Sequence, residues 1–354
     1  MGKKFTIGVL IGNVHTAHPK DLMRGIRAAA SGMDVNVIYF LGTQSVRFNQ
    51  KFALEDFDYQ YNTVYDYAKL AKVDVLIIAY GSLCIFQKNE DKQAFLDKFA
   101  GIPYVLLEDA TDDPRGIYVM VDNFGGMQKC VEHLIIEHHL KHLVYLGGPE
   151  DNQDAIERKA AFLNVMAEHH LPVTPEMMAV GDYSEFVDNL VEQLLKDNPD
   201  AEAIISANDE MTVACYRVCK AHGLRIGKDI LITGFDDVER ARYSNPPLTT
   251  ASQDAYKMGQ IAVEKAVDIC AGRPVESVRL DAELIIRESC GCKVTRRAKE
   301  KADEKTELLH IIDELRLFQH KSWLGPFLIR DLMQEAENEK SFYRKSGEVF
   351  YHLG

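Results

Sequence analysis

Residues 201–237, AEAIISANDEMTVACYRVCKAHGLRIGKDILITGFDD, contain the clearest indication of the fold class. The stretch opens with a short apolar run that ends in Asn-Asp, continues through a segment with room for a helix at Glu210–Ala221, and closes with a second apolar run that ends in Asp-Asp. Short apolar runs bounded by Gly, Asp or Pro are typical of buried strands. A strand, a helix and a second strand in this order are typical of a parallel sheet whose two faces are covered by helices.

The same alternation recurs toward the N-terminus. Further strand candidates are FTIGVLIG (5–12), VNVIYFLG (35–42), VDVLIIAYG (73–81), IPYVLLED (102–109) and HLVYLGG (142–148). Helices are predicted between such runs, at Asp21–Ala30, Gly125–Glu137 and Ala155–His169. About ten strand candidates are too many for one small sheet, so we predict two doubly wound α/β lobes. A chain of 354 residues has room for both lobes and an appendage.

Asp and Asn residues follow most of the predicted strands. The segments concerned are Asn13–His18, Tyr80–Leu83, Asp122-Asn123, Gly148–Asp154, Asn208-Asp209 and Asp236-Asp237. For any one of these residues, the first interpretation is a helix N-cap. In doubly wound sheets, however, ligands bind in the crevice beyond the carboxyl ends of the strands. Several such residues facing one crevice therefore predict a polar cluster that binds a small, polyol-like molecule.

Charge and cysteine content limit the classes of partner. The formal net charge of −13 disfavours binding to a nucleic-acid backbone, which depends on clustered Lys and Arg. Seven cysteines, an odd number scattered mostly through apolar stretches, suit a reducing compartment and predict a cytoplasmic protein. The first apolar run ends at Gly12 without a cleavage motif, and no stretch is long enough to span a membrane. We therefore expect neither secretion nor a membrane partner.

Two segments could be imagined as metal-binding or catalytic. They are His138-His139-Leu140-Lys141-His142 and Cys290-Gly291-Cys292. Histidines at a helix C-terminus are explained by the helix dipole and by solvent exposure. Alternate residues of an extended segment point to opposite sides, which disfavours chelation by both thiols together. Gly-x-Ser-x-Gly, phosphate-cradling and HExxH motifs are absent from the sequence. We expect no catalytic residue, no metal ligand and no cofactor.

The amino-acid composition of the chain changes after Cys292. Residues 293–354 begin with a charged segment free of Gly and Pro, on which Leu308, Ile311, Leu315 and Phe318 recur at spacings of three and four. This seam predicts one helix from about Ala298 to Gln319 that pairs with its twin in a homodimer. Folding of the helix onto its own C-terminal lobe is the alternative. The aromatic segment that follows resembles the start of a further domain.

Four segments, taken together, resemble one protein family. They are VDNFGGMQKCVEHLI (121–135), LVYLGGPEDNQDAIERKAAF (143–162), the run from Ser206 to Asp254, and ELIIRESCGC (283–292). Their order and spacing resemble the ligand-binding core of the lactose- and galactose-repressor family, which shares the fold of type I periplasmic sugar-binding proteins. The resemblance covers residues 4–292. It implies three crossings between the lobes, near 118–121, 250–253 and 280–283, with an N-lobe of 4–120 and 253–282 and a C-lobe of 121–252 and 283–292.

By motif position, the resemblance implies ligand contacts at Asp122, Asn208, Asp236 and Gln253. Their carboxylate and amide groups can accept hydrogen bonds from vicinal hydroxyls, and the amides can donate as well. His18, in the loop after the first strand, joins this set of predicted ligand-binding residues.

The chain departs from the family pattern at two places in this site. Ile156 stands where the family usually has a ligand-gripping Arg, which leaves Arg158 at the position of a second, more structural Arg. The first-strand loop presents His15, His18 and Pro19 where the family often has stacking aromatics. The ligand is therefore expected to be a small polar molecule, sugar-like or of another class.

The resemblance implies a sensor rather than an enzyme. Repressors of the family begin with a helix-turn-helix head, whereas the first strand here begins at Phe5. RESCGC followed by a charged helix resembles a subset in which the core precedes a signalling output such as a GGDEF diguanylate cyclase or a kinase. Our main prediction is a domain that binds a small polar molecule between its lobes and passes lobe closure to an output domain beyond residue 354. The alternative is the core of a repressor-family transcription regulator whose DNA-binding part is missing or elsewhere.

Overall fold

The computed structural model describes residues 4–14, 16–43, 62–84, 89–111 and 113–293. Residues 1–242 and 246–293 form one compact unit. Residues 243–245 group with 294–354 in a second unit, of which only that short stretch is described. The predicted helix at 298–319, the predicted further domain and His15 of the first-strand loop all lie outside the described residues.

Apolar runs form the strands of a first sheet in the N-terminal half. In the described part of the chain this sheet has six strands in the order β11-β5-β4-β3-β1-β2. Its strands are β1 (Phe5–Gly12), β2 (Val35–Gly42), β3 (Val75–Ile78), β4 (Tyr104–Leu107), β5 (Gly116–Val121) and β11 (Val278–Leu280). All neighbouring pairs are parallel, and β3 and β4 are buried at every residue. Burial on both faces explains why these two strands are continuously apolar.

A second sheet forms in the C-terminal half. Among the described residues it also has six strands, in the order β12-β10-β9-β8-β6-β7. They are β6 (Leu143–Gly147), β7 (Met178–Val180), β8 (Ala203–Ser206), β9 (Leu231–Asp236), β10 (Thr249–Ser252) and β12 (Glu283–Ile285). The pairing is parallel except at the edge, where β12 runs antiparallel to β10. The predicted two-lobed α/β fold with parallel sheets is confirmed.

Helices cover the sheets. The α-helices of the described residues are α1 (Ala17–Ser31), α2 (Tyr67–Leu70), α3 (Tyr80–Leu83), α4 (Asn89–Asp97), α5 (Asn123–Glu132), α6 (Gln153–Glu168), α7 (Asp188–Asp197), α8 (Asp209–Ala221), α9 (Glu239–Tyr243) and α10 (Ala255–Cys270). Two 3-10 turns lie at Thr63–Asp66 and Pro175–Met177, and a π-helical turn at His133–Glu137 continues α5. Among the described residues, no helix combines the length and the apolar character that crossing a membrane requires.

Helices α1 and α10 pack against each other through two glycines. A Cβ atom added to Gly25 would lie 1.9 Å from the Tyr256 carbonyl oxygen, and one added to Gly259 would lie 2.4 Å from the Leu22 carbonyl oxygen. Only residues without a side chain allow the two backbones to approach this closely. The contact holds α10, which follows β10 of the second sheet, against the first sheet's lobe.

The chain passes between the sheets three times in the described residues. It leaves the first sheet after β5, returns after β10 to form α10 and β11, and crosses again between β11 and β12. The carboxyl ends of β5 and β10 therefore lie where the two lobes meet. This topology positions the residues that follow those strands at the interlobe crevice.

Candidate ligand-binding crevice

The second sheet brings Asn208, Asp236 and Gln253 to one edge. Asp236 is the last residue of β9, Gln253 directly follows β10, and Asn208 follows β8 by one residue. Strands β8, β9 and β10 are neighbours, and Asp236 stands opposite Ser252 in the register. The carboxyl ends of parallel strands meet at one edge of a sheet, which explains why three predicted ligand residues come together here.

Two of the predicted ligand residues act as helix N-caps. The Asp122 side chain accepts a hydrogen bond from the Gly125 amide at the start of α5, and Asn208 accepts one from the Met211 amide at the start of α8, each at 3.0 Å. The Asn208 amide nitrogen also donates to the Tyr183 carbonyl at 3.2 Å. Capping therefore accounts for part of what these two side chains do, as the simplest interpretation of the sequence holds.

Arg158 lies beneath this edge and connects several of its elements. It is 2% exposed, and its Nε and Nη1 atoms donate to Asn123 Oδ1 at 2.8 Å and to the Ala207 carbonyl at 2.7 Å. The guanidinium also lies 3.6 Å from carboxylate oxygens of Asp154 and of Asp236. Its carbon is 3.8 Å from the centroid of the Phe235 ring, a cation–π contact. Ile156, two residues earlier on α6, is by contrast 47% exposed.

Three buried polar atoms at this edge lack a hydrogen-bond partner among the described residues. They are Asp236 Oδ1, Gln253 Oε1 and Arg158 Nη2. Asp236 has a backbone φ of 120°, which L residues rarely adopt. Buried polar groups are nearly always paired, and strained backbone tends to occur at ligand sites. The combination identifies this edge as the candidate site.

The first sheet's lobe contributes a partly buried pair, His18 and Glu108. His18, at the start of α1, places Nε2 2.6 Å from Oε1 of Glu108, which follows β4. Ser82 donates to Glu108 Oε2 from its amide at 2.6 Å and also from its hydroxyl. Burial by itself raises the pKa of Glu108, but His18 and Ser82 outweigh burial and leave that pKa below its usual value. Burial lowers the pKa of His18. The Glu108 carboxylate and other nearby acids outweigh burial, so the pKa of His18 is raised above its usual value.

Ionisable groups of the two lobes lie close enough to shift one another's pKa values. Asp236 and Asp154 both raise the pKa of His18. Glu108 raises the pKa of Asp154 and that of Asp236. Burial is the largest cause in raising the pKa of Asp236, with Arg158 opposing it. His18 is thus brought to the same crevice as Asp236, although the two belong to different sheets. Glu108 was not among the predicted site residues, even though it lies at the end of the predicted strand 102–109.

Asp154 should make stability depend on pH. Burial, opposed by Arg158, raises its pKa from 3.8 to about 7. Between these values the folded state holds a proton that the unfolded chain has released, so the free energy of unfolding should fall as pH rises from 4 to 7 and level off above. In Asp154→Asn this loss should be absent, with a difference from the native chain that grows to on the order of 3 kcal/mol at pH 7.

Chemical denaturation at several pH values measures this difference. Asp151→Asn, which removes a carboxylate from an exposed position just before α6, is the matched control and should run parallel to the native chain. A pH-independent difference between Asp154→Asn and the native chain would contradict a raised pKa at Asp154.

The structure also corrects one expectation about metal-binding residues. Cys290 and Cys292 lie at a turn over Glu288–Gly291 rather than in an extended strand, so their thiols do not point to opposite sides. Together with His133 and His138 they place four ligand atoms within 4.8 Å of one another. The sequence argument that disfavoured joint chelation assumed extended backbone, and the turn at Glu288–Gly291 removes that assumption.

The sequence is similar to that of known ligand-binding and regulatory proteins. Residues 131–290 match the family model of a periplasmic binding protein-like domain. The regulator CelR of Thermobifida fusca, named as a helix-turn-helix-type transcriptional regulator, is 30% identical over 216 residues, which are 58% of this chain and 62% of that protein. The chain is thus similar to periplasmic binding protein-like domains and to part of a helix-turn-helix-type transcription regulator. It spans less than two thirds of the length of the first curated relatives that it matches.

One further curated regulator and two solved structures are also similar to this chain. The helix-turn-helix-type repressor CytR of Escherichia coli K12 is 27% identical over 233 residues, 65% of this chain and 66% of the repressor. A solved CelR–cellobiose complex has a TM-score of 0.67 at 23% identity, covering 80% of this chain and 84% of that one. A lac repressor dimer bound to operator has a TM-score of 0.68 at 23% identity, covering 82% of each chain.

These relatives help to distinguish the two functional interpretations, a sensor fused to a signalling output and the core of a transcription regulator. They are transcription regulators rather than enzymes, which agrees with a non-enzymatic core. They favour the regulator interpretation, the alternative in the sequence analysis, over fusion to a diguanylate cyclase or kinase. The prediction that the chain has no nucleic-acid partner agrees less well with relatives named as helix-turn-helix-type regulators.

Proposed function

We propose that this chain is the ligand-sensing core of a transcription regulator, and that it binds one small, hydroxyl-bearing molecule in the interlobe crevice. The observation that carries the proposal is the set of buried polar atoms without a hydrogen-bond partner among the described residues, Asp236 Oδ1, Gln253 Oε1 and Arg158 Nη2. A buried polar atom without a partner costs about 1–3 kcal/mol, so three at one edge of a sheet call for a ligand that pairs with them.

The chemistry of the three atoms describes the ligand. The Asp236 and Gln253 oxygens need donors, whereas Arg158 Nη2 needs an acceptor. A hydroxyl group both donates and accepts, so adjacent hydroxyls of one molecule satisfy all three atoms. Glu108, whose pKa lies below its usual value, disfavours an anionic ligand. These features support a neutral polyhydroxylated compound, and the complex of the relative CelR with cellobiose is in keeping with that class.

His18 and Glu108 supply the opposite wall of the proposed site. They lie on the other lobe, and their charges act on Asp236 and Asp154 across the crevice. A ligand held between the two walls would favour the closed arrangement of the lobes by its contacts with both. Lobe closure is therefore the proposed signal, and the regulator's output is the proposed receiver.

A panel of compounds tests the proposal on the full chain. It should contain hexoses, cellobiose and other disaccharides, polyols, nucleosides and organic acids. A ligand that binds only the folded state raises the melting temperature by mass action, so at least one neutral polyhydroxylated compound should give a clear shift, verified by calorimetric titration. Stabilisation by organic acids alone, or by no compound of the panel, would contradict the proposal.

We also propose that the regulator is a homodimer. The apolar seam of Leu308, Ile311, Leu315 and Phe318 supports pairing of two tails, as does the dimeric state of the lac repressor in its operator complex. The mass in solution of residues 1–354, compared with that of residues 1–292, tests the role of the tail. Equal dimerisation of both would assign pairing to the lobes instead.

A further inference from the structure

Two histidines and two cysteines converge on one point of the C-terminal lobe, away from the crevice. His133 Nε2 lies 3.3 Å from Cys290 Sγ and 3.6 Å from Cys292 Sγ. His138 Nε2 lies 3.3 Å from His133 Nε2 and 3.4 Å from Cys292 Sγ. The two pairs of residues are more than 150 positions apart in sequence. No part of the proposed ligand site uses these side chains.

Four separations among these ligand atoms match the edges of a metal-centred tetrahedron. Zinc binds His nitrogen at about 2.0–2.1 Å and Cys sulfur at about 2.3 Å, which in a tetrahedron separates two nitrogens by about 3.3 Å and a nitrogen from a sulfur by about 3.6 Å. The observed separations of 3.3 Å between nitrogens and 3.3–3.6 Å between nitrogen and sulfur lie close to these values. We propose that His133, His138, Cys290 and Cys292 form a structural zinc site.

Local backbone structure aims the four side chains at one point. His133 begins a π-helical turn and His138 directly follows it. A π turn closes a hydrogen bond between residues five apart, which brings residues at this spacing to the same side of the helix. On the other segment, Gly291 has a φ of 88° and donates its amide to the Glu288 carbonyl at 3.0 Å. This conformation favours glycine, and it turns the chain between the two thiols.

The surroundings suit zinc rather than a hard cation or an exchangeable metal. Cys290 and His133 are buried, whereas His138 and Cys292 are half-buried and leave a path for the ion. Two thiolates and two imidazoles satisfy a tetrahedral ion completely, as in closed structural zinc sites, and the set is too soft for magnesium or calcium. The Thr249 hydroxyl lies 3.1 Å from Cys290 Sγ, a contact of the kind that orients a ligating thiolate.

The position of the site gives it a mechanical role. It joins the end of α5 to the segment that follows β12, the last strand of the described residues. The same segment is held to the sheet by hydrogen bonds from the Ile232 amide to the Ser289 carbonyl and from the Ser289 amide to the Pro247 carbonyl. Zinc would fasten the chain to the C-terminal lobe at residue 292, so that movement of this lobe is passed to the residues beyond.

Metal analysis of the full, untagged chain tests the proposal. Protein from a zinc-supplemented culture, after dialysis, should contain about one zinc per chain. Replacement by cobalt should give the intense visible bands of a tetrahedral ion together with thiolate-to-cobalt charge transfer. Cys292→Ser and His138→Gln should each lose the zinc. In their cobalt-treated forms the charge-transfer band should be lost or shifted, whereas the circular dichroism spectrum should be unchanged. Chelation of the zinc should lower the melting temperature of the native chain.

Two matched variants control for nearby groups that the site does not include. His139→Asn removes the adjacent exposed imidazole and retains a residue type that tolerates its φ of 56°, and Cys270→Ser removes a half-buried thiol elsewhere. Both should keep the zinc and the cobalt spectrum. The proposal fails if the native chain holds no stoichiometric zinc and gives no tetrahedral cobalt spectrum, which would leave the cluster as a hydrogen-bonded network. It also fails if Cys292→Ser and His139→Asn retain metal equally.

Discussion

Arg158→Met should lower the free energy of unfolding by about 3–5 kcal/mol, the typical cost of removing one partner from a buried ion pair. Arg158 is 2% exposed and lies 3.6 Å from carboxylates of both Asp154 and Asp236. Its removal would leave these two buried acids without their cation, and would leave Asn123 and the Ala207 carbonyl without their donor. Methionine fills a similar volume, so loss of charge and hydrogen bonds should dominate over the cavity.

Chemical denaturation followed by far-ultraviolet circular dichroism measures this change. Ile156→Ala is the matched control, because it truncates a neighbouring residue of the same helix that is 47% exposed, and it should change stability by less than about 1 kcal/mol. The combined variant Arg158→Met with Asp154→Asn and Asp236→Asn should recover part of the loss, since it removes the uncompensated charges as well. A loss below about 1 kcal/mol for Arg158→Met alone would show that the guanidinium does not hold this edge together.

Asp236→Asn should weaken binding of the ligand found in the panel by about 100-fold or more, while leaving the fold intact. A carboxylate that accepts hydrogen bonds from two hydroxyls contributes about 1.5–3 kcal/mol for each bond, and asparagine keeps one carbonyl oxygen but loses the charge. Asparagine also tolerates an unusual backbone conformation, which matters at a residue with a φ of 120°. The expected loss is therefore one of affinity rather than of structure.

Calorimetric titration beside thermal melting separates the two roles that Asp236 could have. If Asp236 only shapes the connection after β9, the Asn variant should melt at a lower temperature and bind normally. Ile156→Ala serves again as the control and should retain most of the affinity, because its exposed side chain stands where the family's gripping Arg is missing. Full affinity in Asp236→Asn would remove this residue from the proposed ligand site.

Much of the fold follows from local features of the sequence. The run FTIGVLIG forms β1, and the run within residues 201–209 forms β8. A continuous apolar run between turn residues has few ways to be buried other than as an interior parallel strand. The Asp and Asn residues after these strands follow from the same pattern, since both capping and ligand binding need polar groups where a strand ends. The sequence by itself could not decide between these two uses.

Which distant groups meet depends on the tertiary structure. His18 and Glu108 are 90 residues apart, and their 2.6 Å contact depends on β1 and β4 lying in one sheet with β3 between them. Arg158 acquired its central place because α6 packs against α5 and β6 and brings the guanidinium near the carboxylates of Asp154 and Asp236. The cluster of His133, His138, Cys290 and Cys292 needed a π turn and a tight glycine turn as well. The periodicity of apolar residues indicates which side of one helix or strand is buried. Contacts between elements depend instead on strand order and on the approach of the two lobes. Strand order and lobe approach are set by the packing of the whole chain.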